Sequence, residues 1–392
     1  MLLCSILSLL LSYRLCNDEE IGMKTPQIIS YWKYPVETIP VVTADGYILN
    51  MHRIPFGRKN STNGFRKRPV VFLQHGLESS SSNFVTMLPH KALGFLLADA
   101  GFDVWMGNSR GNLYSTGHTV LNVNERQYWQ FSWEEMAKYD LTAMIEKALE
   151  ITNQSSLYYV GHSQGTIILF TKLASEPEFA CKIKKFFALA PVGTVKHLKG
   201  MLGVLARKFY YVFEFMEHFL GKKRFLPNTK LTTEIKKIVC TNSVTERICD
   251  NLLFLIAGPE SNQLNITRLP VYLTDIPSGT STKNIQHWAQ MARSQRLQSF
   301  DYGEKNFQHY GQKTPPVYNL SNVNVDTYLY YGDKDWLADE ADVEEFLIPS
   351  LNPKIVKSIK HLIDYDHFDF IWGERSPKEI YESIINILLA ES

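Results

Sequence analysis

The stretch Tyr159-Val160-Gly161-His162-Ser163-Gln164-Gly165-Thr166 decides how this chain is read. Its centre is G-x-S-x-G. At about 7% each for Gly and Ser, chance alone places such a pentapeptide in roughly one chain in eight of this length, so its context carries more than the match. Before it, Leu157-Tyr158-Tyr159-Val160 is an aromatic and β-branched run with strand character; after it, Gly165 to Ala174 has helical spacing. A serine on so tight a strand-to-helix turn needs small flanking residues. The turn would hold Ser163 Oγ clear at a helix N-terminus, where the backbone offers positive potential to a developing oxyanion.

Working outward, Pro69-Val70-Val71-Phe72-Leu73-Gln74 reads as a buried strand ending at His75-Gly76. A helix is predicted around Gly94 to Ala100, and a strand over Phe102 to Met106, closed by Gly107-Asn108-Ser109-Arg110-Gly111. Trp133 to Glu150 has helical spacing and Phe186 to Ala190 is a further strand. Alternating βα units imply an α/β class protein: a mostly parallel central sheet flanked by helices. The rhythm breaks over residues 193–316, which read as helical, aromatic and irregular. It resumes with a strand at Val325 to Tyr331, a helix at Glu340 to Leu347, a strand at Ile355 to Ile359 and a helix at Pro377 to Leu389. Residues 18–192 and 317–392 are therefore two parts of one core, and 193–316 a mainly helical cap and lid insertion.

The chain has 392 residues, 41 basic and 40 acidic, with 45% hydrophobic and 21% charged residues. That balance excludes a disordered tail, a coiled coil and a nucleic-acid binder relying on bulk positive charge. The 11 histidines could move the formal charge from +1 to roughly +12 in acid; ordinary histidine usage is the simpler reading. Leu2 to Leu11 is an apolar run of signal-peptide length, so residues 1–17 are expected to be a cleaved signal, cut somewhere between Ser12 and Asp18. No later stretch approaches the 18 apolar residues of a transmembrane anchor. Cys4 and Cys16 would leave with the signal. Cys240 and Cys249 are close enough in sequence to close a small loop as a disulfide, leaving Cys181 odd, and no Cys/His spacing suggests a metal site. Sequons at Asn60, Asn153, Asn265 and Asn319 fit a glycoprotein of the secretory pathway.

A nucleophilic serine needs a base, and the base an orienting acid. Asp335 follows the strand ending at Tyr331; its rival Asp333 is explained by turn chemistry in Gly332-Asp333-Lys334-Asp335. His367, in the loop after the final strand, is the expected base. The rival His361 directly follows the strand and precedes an apolar pair, and His162 reads as a packed residue of the turn. The order Ser, Asp, His is that of the nucleophile-elbow proteins. Two backbone N–H groups, from Leu77 and Gln164, are the candidates for an oxyanion hole.

At these residues the chain resembles the acid lipase family, the animal gastric, lingual and lysosomal acid lipases. The resemblance rests on Tyr31-Trp32-Lys33-Tyr34-Pro35, Thr43-Ala44-Asp45-Gly46-Tyr47, Leu73-Gln74-His75-Gly76-Leu77, Leu97 to Asn112, Glu135 to Leu141, Tyr159 to Thr166 and His367-Phe368-Asp369-Phe370-Ile371-Trp372-Gly373, and runs from about Ile28 to the C-terminus. It implies an α/β-hydrolase fold, the triad Ser163, Asp335 and His367, oxyanion donors at Leu77 and Gln164, and a cap disulfide between Cys240 and Cys249. The chain departs from the family at Glu78-Ser79-Ser80-Ser81-Ser82, which is polar, and in lacking a third cap cysteine near Ala257.

The expected function is that of an interfacial serine lipase cleaving triacylglycerols or cholesteryl esters through an acyl-enzyme at acidic pH. It would need no cofactor or metal and would act on lipid at an emulsion, lipoprotein or membrane surface. An apolar stripe in the cap (Leu198, Met201, Leu202, Leu205, Phe209), with 228–258 as lid, would meet that surface or simply pack on the core. The alternatives are a carboxylesterase for soluble esters and a non-catalytic lipid-binding protein on the same fold. The product would be secreted or lysosomal.

Overall fold

Strand-forming segments whose faces are both apolar need cover on both sides, and the computed structural model, which describes residues 19–58, 67–208, 224–226 and 255–391, places them at the centre. The central sheet contains β1 (Glu37–Val42), β2 (Tyr47–Ile54), β3 (Val70–Gln74), β4 (Asp103–Met106), β5 (Gly117–His118), β6 (Leu157–His162) and β7 (Ile183–Leu189). Outside it lie the short β8 (Arg224–Phe225) and β9 (Thr280–Ser281), which pair with each other; β10 (Asp326–Gly332) and β11 (Val356–Leu362) complete the main sheet. The order is β1-β2-β4-β3-β6-β7-β10-β11, with β5 on β2. From β4 to β11 every pairing is parallel, whereas β2 pairs antiparallel with β1, β4 and β5. The βα reading is thus borne out as an α/β-hydrolase fold.

β3, β4 and β6 are buried at every position. Removing a Val, Leu or Phe side chain of this kind from water contributes about 1.5–3 kcal/mol. Within the sheet, Phe72 of β3 stacks on its cross-strand partner Tyr159 of β6 at 5.9 Å between centroids.

Several elements differ from the sequence-based expectation. The β1–β2 hairpin was not foreseen, although Asp45-Gly46 between two runs is a turn signal. Gly46 takes φ +94° there, a conformation that glycine adopts without strain. The helix expected over Trp133 to Glu150 is interrupted: α-helix at Trp133–Glu135, a π turn at Met136–Asp140, then α-helix over Leu141–Thr152. π turns also occupy Val343–Leu347 and Pro377–Tyr381. Strand β7 begins at Ile183, earlier than read, because Lys185 is buried with its ammonium 2.6 Å from Glu391.

Two ion clusters join distant segments. Arg110, in the loop after β4 and 1% exposed, donates to Asp140 of the π turn (2.7 Å) and to both oxygens of Asp45 in the hairpin turn (2.6 and 2.8 Å). Its guanidinium lies 3.9 Å over the Tyr47 ring. At the start of the described chain, Glu20 is fully buried and accepts from Arg268 Nη2 (2.8 and 2.6 Å) and Trp32 Nε1 (2.8 Å).

No described residue of 193–316 joins the central sheet. The described parts include the helices Gly200–Lys208 and Thr282–Ser294 and the β8–β9 pair. Met201, Val204 and Leu205 on the first helix are exposed. Residues 1–17, Asn60, Cys240, Cys249 and most of the lid segment lie outside the described residues. Asn153 and Asn319 are exposed, Asn265 half-buried, and Cys181 is a free, exposed cysteine. Among the described residues no helix is long and apolar enough to cross a membrane.

Candidate active site

Parallel strands deliver their following loops to one edge of the sheet, and ligand sites of such sheets form at the carboxyl ends of the strands. Here the loops after β3, β6, β10 and β11 carry Leu77, Ser163, Asp335 and His367 respectively. Ser163 sits between β6 and the helix Gln164–Ser175 with φ 53° and ψ −120°. For a residue with a Cβ this backbone costs about 1–3 kcal/mol, which the surroundings must hold in place. They do so through several bonds: Ser163 N–H donates to Leu189 O (3.0 Å), and Ser163 O accepts from Thr166 N–H and Oγ1 (2.8 and 2.7 Å). The flanking glycines leave no alternative: a Cβ on Gly165 would lie 2.4 Å from Gln74 O, and one on Gly161 2.8 Å from the Gly165 carbonyl carbon.

His367 Nε2 lies 2.8 Å from Ser163 Oγ, and its Nδ1 lies 2.8 and 3.0 Å from the two oxygens of Asp335. A carboxylate only accepts, so Nδ1 carries the proton and Nε2 is left to accept from the Ser163 hydroxyl. Asp335 Oδ1 accepts in addition from Leu337 and Ala338 N–H, both at 2.8 Å. The three sequence-predicted residues are therefore brought together, all buried, with Ser163 the most accessible at 8%. The rivals are not. Asp333 accepts from Asp364 N–H at 2.8 Å, a turn contact, and His361 stacks on Tyr331 at the protein surface. His162 lies behind the site, its Nε2 3.0 Å from the His367 carbonyl oxygen.

Gln164 is the first residue of its helix, where an N–H has no partner one turn back. Across from it, the Gly76 backbone passes so close that a Cβ there would stand 3.0 Å from Ser163 Cβ. The Leu77 N–H that follows makes no hydrogen bond to a described residue. Both candidate donors thus border the serine.

Burial sets the charges around this edge. It pushes His52 and His75 down to about 4 and His162 well below its usual value, with His367 adding to the effect on His162. His287 is also lowered by burial. His52 and His75 therefore stay neutral down to about pH 4, in keeping with ordinary histidine usage. Carboxyls move the other way. Burial raises Asp369 to about 6 and Glu78 to about 8, and burial together with the neighbouring Asp369 raises Asp366.

Sequence reasoning missed the residues that hold Gln164. Its Oε1 accepts from Asn284 Nδ2 and Trp288 Nε1, both at 2.9 Å. They are four apart on one helix, a spacing visible in the sequence, but their partner lies 120 residues away. A surface group was also missed: Glu340, Glu344 and His361 bring three possible ligand atoms within 4.8 Å of one another. They come from a helical turn and the next strand, a pairing that short-range spacing does not reveal.

Residues 69–374 match the family described as "alpha/beta hydrolase fold" and residues 25–88 the "Partial alpha/beta-hydrolase lipase region". The chain is 54% identical over 374 residues to the lipase lipl-1 of Caenorhabditis elegans, covering 95% of this chain and 92% of that one. It is 46% identical to the human lysosomal acid lipase/cholesteryl ester hydrolase, over 95% and 92% of the two chains. The bovine gastric triacylglycerol lipase is 44% identical, over 96% and 93%. Among solved structures, the monoacylglycerol lipase of Paleococcus ferrophilus shares the fold at TM-score 0.51 and 16% identity, over 88% of this chain and 99% of that one.

Proposed function

The chain belongs to the acid lipase family and is a carboxylic ester hydrolase; from that premise we propose that it cleaves neutral-lipid esters with Ser163, His367 and Asp335 as its triad. Ser163 Oγ attacks the ester carbonyl carbon while His367 Nε2 takes the hydroxyl proton. The carbonyl oxygen becomes an oxyanion, held by the N–H groups of Leu77 and Gln164. Asp335 keeps the imidazole oriented and balances the charge it gains. Collapse of the tetrahedral intermediate breaks the bond to the alcohol, which leaves with the proton from His367. Water, activated by the same histidine, then attacks the acyl-enzyme, and the fatty acid leaves as Ser163 recovers its proton.

The observation that carries this reading is the pair of 2.8 Å contacts that chain Asp335, His367 and Ser163. The names of the relatives support triacylglycerols and cholesteryl esters as substrates. They also support a secreted or lysosomal location reached through the secretory pathway. The exposed Met201, Val204 and Leu205 of the cap suit contact with a lipid interface. Residues 18–192 and 317–392 would form the core and 193–316 the cap.

The test is fatty-acid release from emulsified trioleoylglycerol and cholesteryl oleate over a pH series, wild type against Ser163→Ala. Serine-dependent release peaking near pH 5 is the expected result. Release confined to short soluble esters, with no jump in rate at their solubility limit, would indicate a carboxylesterase. Binding of lipid with equal turnover in both forms would indicate a non-catalytic protein.

A further inference from the structure

The two candidate oxyanion donors sit on separate loops of the core, yet both are reached by one short piece of the cap. On one side, Ser278 N–H donates to the backbone oxygen of Glu78, and Gly279 N–H donates to Glu78 Oε2, each at 2.8 Å. Glu78 directly follows Leu77 and holds φ 54°, a conformation that a side-chain-bearing residue keeps only under constraint. On the other side, Asn284 and Trp288 donate to Gln164 Oε1. The connecting stretch is itself fixed. Ser281 caps the helix Thr282–Ser294 by accepting from Asn284 N–H (2.9 Å), and Asn284 Oδ1 accepts from Trp133 N–H (2.8 Å). Asn284 is fully buried, so each of these bonds is shielded from competing water.

We propose that the cap segment Ser278–Trp288 braces the oxyanion hole from both sides, with Glu78, Asn284 and Trp288 as positioning residues for the reaction at Ser163. The inference rests on the triad reading above. An oxyanion hole works only when its donors are aimed before the charge develops, and a misplacement of a few tenths of an ångström weakens both bonds. The Gln164 side chain, anchored by two donors, limits how its own backbone N–H can tilt. The Glu78 clasp does the same for the loop that presents the Leu77 N–H. None of the three side chains is hydrogen-bonded to Ser163, His367 or Asp335.

The experiment uses the full-length protein and a soluble short-chain ester, which removes interfacial adsorption from the readout. Trp288→Phe deletes one donor and keeps the ring; Asn284→Asp keeps the acceptor for Trp133 N–H and deletes the other donor. Each is expected to lower kcat about tenfold with KM nearly unchanged, and to weaken by the same factor an alkylboronic acid that forms a tetrahedral adduct on the serine. Gln164→Met, whose thioether accepts only weakly, should reproduce the loss, and Trp288→Phe should then add nothing to it. Glu78→Gln keeps the acceptor for Gly279 and should retain kcat at pH 5, whereas Glu78→Ala should lose it. Wild-type kcat in Trp288→Phe, or a loss fully additive with Gln164→Met, overturns the brace. If Asn284→Asp does not fold, Trp288→Phe and the cycle with Gln164→Met decide alone. Ser163→Ala run in parallel separates the failures: turnover that survives it sinks the triad reading, while its loss beside unaffected Trp288→Phe sinks only the brace.

Discussion

The core side and the cap side of the oxyanion region are built by different means. On the core side, Ser163 and the loop bearing Leu77 extend from β6 and β3, strands buried at every position and paired along their length. Their placement follows from a repeating backbone ladder, and no single bond decides it. On the cap side, the segment Ser278–Trp288 reaches the same place through a handful of side-chain and backbone hydrogen bonds, each removable by one substitution. Repeated geometry makes a site redundant; isolated contacts make it adjustable. Damage on the core side should therefore be all-or-none, and damage on the cap side graded.

The largest effect expected is at the centre of the core side. Ser163→Ala should lower kcat on any ester by at least about 10⁴-fold while leaving the thermal midpoint within a few degrees, read by titrated fatty-acid release and calorimetry. A residual rate above that range would mean that the ladder does not deliver the nucleophile. Next is the structural cluster beneath it. Arg110→Met leaves the buried Asp140 carboxylate without its partner and should cost about 3–5 kcal/mol in denaturant unfolding. A change below about 1 kcal/mol would show that the hairpin turn and the π turn are held by something other than this guanidinium.

The smallest effect sharpens the contrast on the cap side. Glu78 ionises with a pKa raised to about 8 by burial, against 4.5 for the free side chain. Its contribution to stability is therefore fully present below about pH 4.5 and is lost as pH rises through 8. The buried histidines run the other way: with His52 and His75 lowered to about 4 from 6.5, their contribution is present above 6.5 and lost as pH falls through 4. Between about pH 4.5 and 6.5 the two sets oppose each other, the two histidines raising stability as pH rises and Glu78 lowering it; above 6.5 only the Glu78 decline towards pH 8 remains. Glu78→Gln should flatten that decline by a few degrees in the thermal midpoint measured at pH 5, 6.5 and 8. An unchanged slope would place its cause elsewhere than in the clasp.

What the sequence disclosed follows the same division. Strands β3, β4, β6 and β10 were readable because a buried parallel strand is an unbroken apolar run, and the triad because its three members follow such strands in a fixed order. The β1–β2 hairpin escaped notice since its outer strand is largely exposed and mixes polar with apolar residues. The π turn at Met136–Asp140 is invisible to a 3.6-residue period, as the extra residue is accommodated by the Asp140–Arg110 contact and not by local composition. Asn284 and Trp288 lie on one helix, and nothing local to it points to Gln164, 120 residues away. The histidine count says little by itself for a related reason: composition records how many groups can titrate, whereas burial decides how many do.

The sealed contact between Glu20 and Arg268 bears on how far the chain can be shortened from its N-terminal side. Removing residue 20 would take from the buried Arg268 guanidinium a carboxylate that lies 248 residues away in sequence, and would untether Trp32 as well. Any shortening or fusion at this end must therefore keep Glu20 and leave its carboxylate free to turn inward.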